Sequence, residues 1–205
     1  MAASKNNKLI LASASSRRLN LLEQVKILPD EVYAPQIDES PKKNEAAPNL
    51  VRRLALAKAD AASLIHQDCY IIAADTVVTC GRRILPKVLD EGEAITCLNR
   101  LSGRRHRVYS GICVISPNLN SAQTRVVNTS VKFKHLSLEE IKTYIKSKEW
   151  YGKAGGYAIQ GFAGKFVVNI NGSYTNVVGL PLYEITQMLM GLGYKAWNID
   201  GSVRY

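Results

Sequence analysis

The run Tyr70–Thr79, YIIAADTVVT, constrains this chain more than any other stretch. It is nearly all apolar, rich in β-branched residues and closed by Cys80-Gly81, which predicts a strand buried on both faces. One carboxylate, Asp75, interrupts it. An ionised acid there faces a desolvation cost of roughly several kcal/mol unless a cation or metal offsets it. Asp75 is therefore either a functional group or a structural acid satisfied by backbone donors.

The segments on either side alternate strand and helix. Lys8–Ser13 (KLILAS) predicts a strand; from Ser15 or Ser16, Leu19, Leu22 and Val25 recur at helix spacing behind a serine N-cap. Pro29, Pro35, Pro41 and Pro48 mark extended structure and loop, carrying the acidic Asp38-Glu39. Leu50, Leu54, Ala57, Ala61 and Leu64 predict a second helix, and Asp90–Ser102 a third that stops at Gly103. Arg107–Ser116 and Thr124–Lys134 read as strands joined around Pro117-Asn118, followed by a helix capped by Ser137 with Leu138, Ile141 and Ile145. In the glycine-rich stretch Gly152–Gly179, Phe166–Ile170 reads as a strand and Asn171-Gly172 as a tight turn. A last helix with Leu182, Ile185, Leu189 and Leu192 ends at Gly193. Strands alternating with helices, plus a hairpin, predict an α/β fold with a mixed sheet. One domain over residues 1–205 is expected, with room for two lobes around a cleft.

Composition excludes several classes. Hydrophobic residues at 46% and charged residues at 21% rule out a disordered chain. The apolar runs stop well short of the roughly 20 residues of a membrane span. The polar Met1–Lys8 precedes only Leu9–Ala12, so no secretory signal is read, and a cytoplasmic, non-membrane protein is expected. On that reading Cys69, Cys80, Cys97 and Cys113, with no C-x-x-C pair, are reduced buried thiols rather than a zinc site. On the same reading the Asn128 and Asn171 sequons are expected to carry no sugar, since glycosylation needs the export route. The net charge of +10 attracts polyanions, from nucleotides to nucleic acid, without choosing among them.

Several residues are candidates for chemistry. Ser13-Ala14-Ser15-Ser16-Arg17-Arg18 lies where a strand meets a helix N-terminus, and two hydroxyls and two guanidiniums there suit a phosphate clamp. The plain alternative is a capped helix with two solvated arginines. Glu39 is the natural second carboxylate for a hard cation such as Mg²⁺, whose remaining ligands phosphates can supply; alone it reads as a solvated loop acid. Lys58 and Lys87 read by default as solvent-facing. Gln160, in AIQG, is expected to be buried among residues that let backbone approach a ligand. His66, His106 and His135 are isolated and support no nucleophile–histidine relay. Arg100, Arg104, Arg105 and Arg107 form either a nucleic-acid patch or a solvated face; no aromatic stacking motif accompanies them, which weighs against nucleic acid.

Taken together the chain resembles the Maf family of nucleoside triphosphate pyrophosphatases. The resemblance lies in LILASASSRR (Leu9–Arg18), IDES (Ile37–Ser40), RLALAKA (Arg53–Ala59), AADTVV (Ala73–Val78) and LSGRRHRVYSG (Leu101–Gly111). KAGGYAIQG (Lys153–Gly161) and INGSYTNVVGLPL (Ile170–Leu182) complete it, in order along nearly the whole chain. It implies hydrolysis of a nucleoside triphosphate to monophosphate and pyrophosphate with Mg²⁺ or Mn²⁺. It also implies a fold like that of inosine triphosphate pyrophosphatases: a mixed, elongated sheet with flanking helices around a central cleft, often dimeric. Matched by position, Asp75 accepts the proton of the attacking water, and Glu39 is a metal-associated carboxylate. Ser13, Arg17, Arg18, Lys58 and Lys87 hold the triphosphate, and Lys58 counts with Asp75 and Glu39 in the catalytic set. Arg17, Thr76 and Gln160 match positions tied to substrate choice, and the AGGYAIQG and GSYTNVVGLPL versions look like the branch acting on dTTP and UTP, with modified pyrimidine nucleotides as further candidates. Ser16, Pro86, Val88 and Gly152 depart from the family pattern. A competing expectation is a division regulator that binds nucleotide or nucleic acid without turnover.

Overall fold

A computed structural model describes residues 8–117 and 119–195; Asn118, assigned by sequence to a turn, lies outside the described residues. The elements run β1 (Leu9–Ala12), α1 (Ser16–Gln24), β2 (Glu31–Tyr33), α2 (Ala47–Ser63), β3 (Tyr70–Cys80), β4 (Arg83–Leu85) and α3 (Glu91–Leu101). They continue with β5 (Arg105–Ser116), β6 (Leu119–Phe133), α4 (Leu138–Lys146), a 3₁₀ turn (Phe162–Phe166), β7 (Val167–Asn171), α5 (Tyr174–Val178) and α6 (Leu182–Gly191). The fold is mixed α/β, with the strands in the order β2-β1-β3-β5-β6-β7 and β4 paired to β3. The chain divides into two compact units, and β3, β5 and β6 contribute residues to both.

The first unit holds the chain up to Asp75, Gly111–Val126 and the chain from Gly179. Here β1 pairs in parallel with β2 (Leu11 beside Val32) and with β3 (Leu11 beside Ile72). Helix α2 lays Ala55, Ala59 and Ala62 on Ile10, Ala12, Ile71, Ala73 and Cys113, all essentially without exposure. Small residues on both layers let the backbones approach closely. At Gly111 a Cβ would collide with the carbonyl of Val51, so only glycine lets α2 cross β5 at this height.

The second unit comprises Thr76–Ser110 and Val127–Val178. Strands β3 and β4 form an antiparallel hairpin (Val78 opposite Leu85), and β6 pairs antiparallel with β7 (Ser130 opposite Asn171). Its centre is aromatic: Phe133 meets His106 and Tyr157 edge-on with centroids 4.9 Å away in each case, and Phe166 at 6.0 Å. Helix α3 is capped by Asp90, whose side chain accepts from Glu93 N, and α4 by the reciprocal Ser137–Glu140 capping box.

The helices fall where the hydrophobic spacing predicts, and the differences have local causes. Ser15 stands at the N-cap of α1 without a side-chain cap bond; its own N–H donates to Ser13 Oγ. The buried stripe of α2 is Leu50, Val51, Leu54, Ala55, Lys58, Ala59 and Ala62, rotated from the predicted one, and Leu64 is exposed. The short β2, β4 and α5 carry too few residues to show a period. The 3₁₀ turn over Phe162–Phe166 delays β7 by one residue. All four cysteines are free, but only Cys97 and Cys113 are buried; Cys69 and Cys80 are half-exposed. Burial pushes the Cys113 thiol up to about 12. Among the described residues no helix is long and apolar enough to cross a membrane.

Candidate active site

Asp75 projects from β3 on the side that Ile71 and Ala73 share, because side chains two residues apart lie on one face of a strand. That face is covered by α2, where Lys58 continues the stripe of Leu54, Ala55 and Ala59. The interface that is apolar along most of its length thus ends in an ion pair: Lys58 Nζ donates to Asp75 Oδ1 at 2.7 Å, and both residues are 8% exposed. The same ammonium reaches Glu39 Oε1 at 2.6 Å, on the loop before α2, and the Glu39 side chain is half-exposed. One buried cation therefore holds two carboxylates, one sequestered and one facing water. The pairing offsets the desolvation that an isolated Asp75 would incur.

The strand-to-helix junction supplies the cations. Ser13 is buried, and its Oγ accepts from Arg18 Nη1 at 2.8 Å; Arg18 Nε donates to the Gly179 carbonyl at 2.9 Å. Burial holds the Arg18 guanidinium below its ordinary value, with Asp75 opposing that shift, Arg17 reinforcing it and Glu39 opposing it more weakly. Arg17 is half-buried and likewise lowered by desolvation. Ser13, Arg17, Arg18, Glu39, Lys58 and Asp75 are thus all in the first unit, with three cations against two carboxylates.

Thr76, Lys87 and Gln160 belong to the second unit. Thr76 is half-buried, and its Oγ1 bonds Ser110 Oγ at 2.9 Å. Lys87 is exposed, but its backbone is pinned: it bridges to Ala154, Val88 N donates to Lys153 O, Gly152 N to Val88 O and Gly155 N to Pro86 O. The atypical Pro86-Lys87-Val88 segment is therefore held by a ladder to residues 152–155. Gly152 adopts φ +66°, the left-handed region, which suits the residue found there.

Three expectations are corrected. Lys58 is not on the wet face of α2, because the helix turns its Leu54–Lys58 line onto β3. The plain alternative of two solvated arginines fails at Arg18, which is buried with Nε and Nη1 donating to the Gly179 carbonyl and Ser13 Oγ. Gln160 is exposed rather than buried, since the preceding Gly155–Ile159 fills the interior and the Phe162–Phe166 turn begins beyond it. The sequence also gave no role to Gly179, whose carbonyl fixes Arg18, or to Ser110, whose hydroxyl meets Thr76. The Ser110 signal was present: a hydroxyl inside the apolar strand VYSGICVI stands out for the reason that Asp75 does.

Among the described residues no group of three or more His, Cys, Asp or Glu side chains could enclose a metal. Glu39 and Asp75, drawn together by one ammonium, are the number of carboxylates that Mg²⁺ takes when phosphate oxygens complete its shell. Glu39 and Asp75, each paired to Lys58, are the two residues that would hold a divalent cation arriving with a polyphosphate.

Comparison with known proteins converges on one group. Residues 8–192 match the family described as Maf-like protein. The chain is 54% identical over 186 residues to a dTTP/UTP pyrophosphatase of Paramagnetospirillum magneticum, covering 91% of this chain and 97% of that one. It is 53% identical over 194 residues to a dTTP/UTP pyrophosphatase of Mesorhizobium japonicum, covering 92% and 93%. Over 185 residues it is 50% identical to a nucleoside triphosphate pyrophosphatase of Ehrlichia canis, covering 90% and 96%. Among solved structures, a HAM1 protein from Coxiella burnetii shares the fold with a TM-score of 0.53 at 14% identity, covering 90% of this chain and 99% of that one.

Proposed function

The chain belongs to the Maf family, and from that premise we propose that it hydrolyses nucleoside triphosphates, dTTP and UTP foremost, to the monophosphate and pyrophosphate. The observation that carries this reading is the triad in which Lys58 holds Asp75 and Glu39 beside the arginines of the β1–α1 junction. Breaking an α–β phosphoanhydride requires a proton acceptor for water, a fixed geometry and cations for the departing pyrophosphate.

Asp75 is the acceptor in this reading. Lys58 occupies Oδ1, which orients the carboxylate and leaves Oδ2 for the proton of the attacking water. Ser13, Arg17, Arg18 and the N–H groups at the start of α1 meet the phosphates, with the Arg18–Ser13 bond holding that junction in shape. Lys87 is taken as a further phosphate-binding residue, and Thr76 and Gln160 as residues of substrate choice, on the motif resemblance. A divalent cation held by Glu39 and Asp75 would lower the pKa of water and neutralise charge on the leaving group. The protein acts in the cytoplasm on this reading, where such nucleotides are made and used.

The test is pyrophosphate and orthophosphate release from a panel of nucleoside triphosphates with Mg²⁺, Mn²⁺ or EDTA. The expected result is metal-dependent pyrophosphate, fastest with dTTP or UTP. Asp75→Asn should still bind nucleotide and lose turnover by roughly 100-fold or more. Orthophosphate as product, or an unchanged kcat in Asp75→Asn, would overturn the assignment. Absence of release from any nucleotide, with salt-sensitive nucleic-acid binding instead, would favour a binding protein.

A further inference from the structure

The loop that carries Glu39 has no buried side chain to anchor it: residues 38–44 are exposed at every position. The Glu39 side chain is itself 52% exposed, so water screens its ion pair with Lys58, and that pair adds little hold on the loop. A second carboxylate can work in concert with the buried Asp75 only if its backbone is fixed. Here bonds rather than burial must do the fixing.

Arg53 supplies such bonds. It stands on α2 five residues before Lys58, about 7.5 Å back along the same helix. Its Nε donates to Glu45 Oε1 and its Nη2 to Glu45 Oε2, both at 2.8 Å, which is the planar fork on a carboxylate. Nη2 also donates to the Ser40 carbonyl at 3.0 Å, in the residue next to Glu39. Glu45 Oε2 accepts from Lys42 N as well, and the Glu45 side chain is only 9% exposed. Asn44, at φ +59°, turns the chain back so that Glu45 N can donate to Lys42 O. At the other end Asp38 Oδ1 accepts from Ser40 N at 2.9 Å. The Arg53 fork, aided by the Lys42 N–H, holds the Glu45 carboxyl down at about 2, so the clasp stays charged through the neutral range. Loop and helix thus meet at consecutive residues, Glu39 on Lys58 and Ser40 on Arg53.

We propose that Arg53 and Glu45 are positioning residues whose clasp fixes this loop on α2 and so presents Glu39, beside Asp75, to the divalent cation that arrives with the nucleotide. The proposal rests on the reading that Glu39 and Asp75 hold that cation. It is tested by Mn²⁺ titration followed by electron paramagnetic resonance, with an α,β-imido analogue of UTP present so that binding is read without turnover. The wild type and Glu39→Gln report on the underlying reading. If the wild type binds no Mn²⁺, or Glu39→Gln binds it equally well, Glu39 holds no cation and the proposal falls with that reading. Where Glu39→Gln weakens binding, Arg53→Ala should raise the Mn²⁺ Kd about tenfold, as loss of a ligand's supporting partner does. On the Glu39→Gln background Arg53→Ala should change the Kd no further. An unchanged Kd in Arg53→Ala overturns the proposal and leaves the cation reading intact. So does an equal further loss on the Glu39→Gln background, which would mean that Arg53 acts on the fold at large and not through Glu39. If Arg53→Ala does not fold, Glu45→Gln breaks the charged clasp from its other side at the same side-chain size, and the same outcomes decide.

Discussion

His106 makes the stability of this protein depend on mildly acidic pH, by an amount that can be worked out. The ring is 1% exposed inside the aromatic centre of the second unit, with Nε2 2.8 Å from Tyr157 Oη and Nδ1 buried without a partner among the described residues. Burial lowers its pKa from 6.5 to about 4. Because the folded value is the lower one, the unfolded chain binds a proton that the folded chain refuses, and stability falls as pH drops from 6.5 towards 4. Linkage gives a loss of about 1.4 kcal/mol at pH 5.5 and about 2.5 kcal/mol at pH 4.5, relative to pH 7.5. Urea unfolding of the wild type and His106→Phe at these three pH values isolates the term, because carboxylates elsewhere titrate alike in both. The gap between the two proteins should shift in favour of His106→Phe by these amounts on acidification. A gap that stays constant across the range would refute the reasoning, whatever its size at neutral pH.

Two further perturbations probe the first unit. Gly111→Ala should push α2 off β5 where a Cβ meets the Val51 carbonyl, costing about 1–3 kcal/mol and lowering pyrophosphate release because α2 carries Lys58; a thermal melt and a turnover assay check both. Lys58→Met strands the Asp75 carboxylate in a buried setting beside Glu39 and should cost about 3 kcal/mol. Adding Asp75→Asn should return much of that stability in urea unfolding, and a double variant no more stable than Lys58→Met would contradict the ion-pair account.

Much of the fold was legible because its determinants are local. The β3 run, the serine ahead of α4 and the glycine after α3 declare themselves through composition, capping and φ. The site was legible in part. Asp75 stood out because a charge in a buried strand breaks a rule that the surrounding residues obey, and Ser13 and Arg17 because hydroxyl and guanidinium cluster at a helix start. Glu39 had no such signal: a carboxylate on a proline-rich loop is ordinary until the ammonium that it shares is known.

Lys58 shows why sequence spacing alone falls short. The pattern Leu50, Leu54, Ala57, Ala61, Leu64 and the observed stripe through Leu54, Ala55, Lys58 and Ala59 are both consistent with a 3.6-residue period, and differ by a rotation of the helix. An alanine-rich helix offers little contrast between its faces, so the rotation is set by what it packs on. That is the surface of Ile10, Ala12, Ala73 and Gly111, contributed by three strands distant in sequence. Once α2 sits there, the turn beyond Leu54 must bury a lysine, and burying it is affordable only where a carboxylate waits. Asp75, two residues beyond Ala73 on the same strand face, meets that condition. The two residues that each look like an error in an apolar element are therefore one feature, and neither can be replaced alone without exposing the other as a cost.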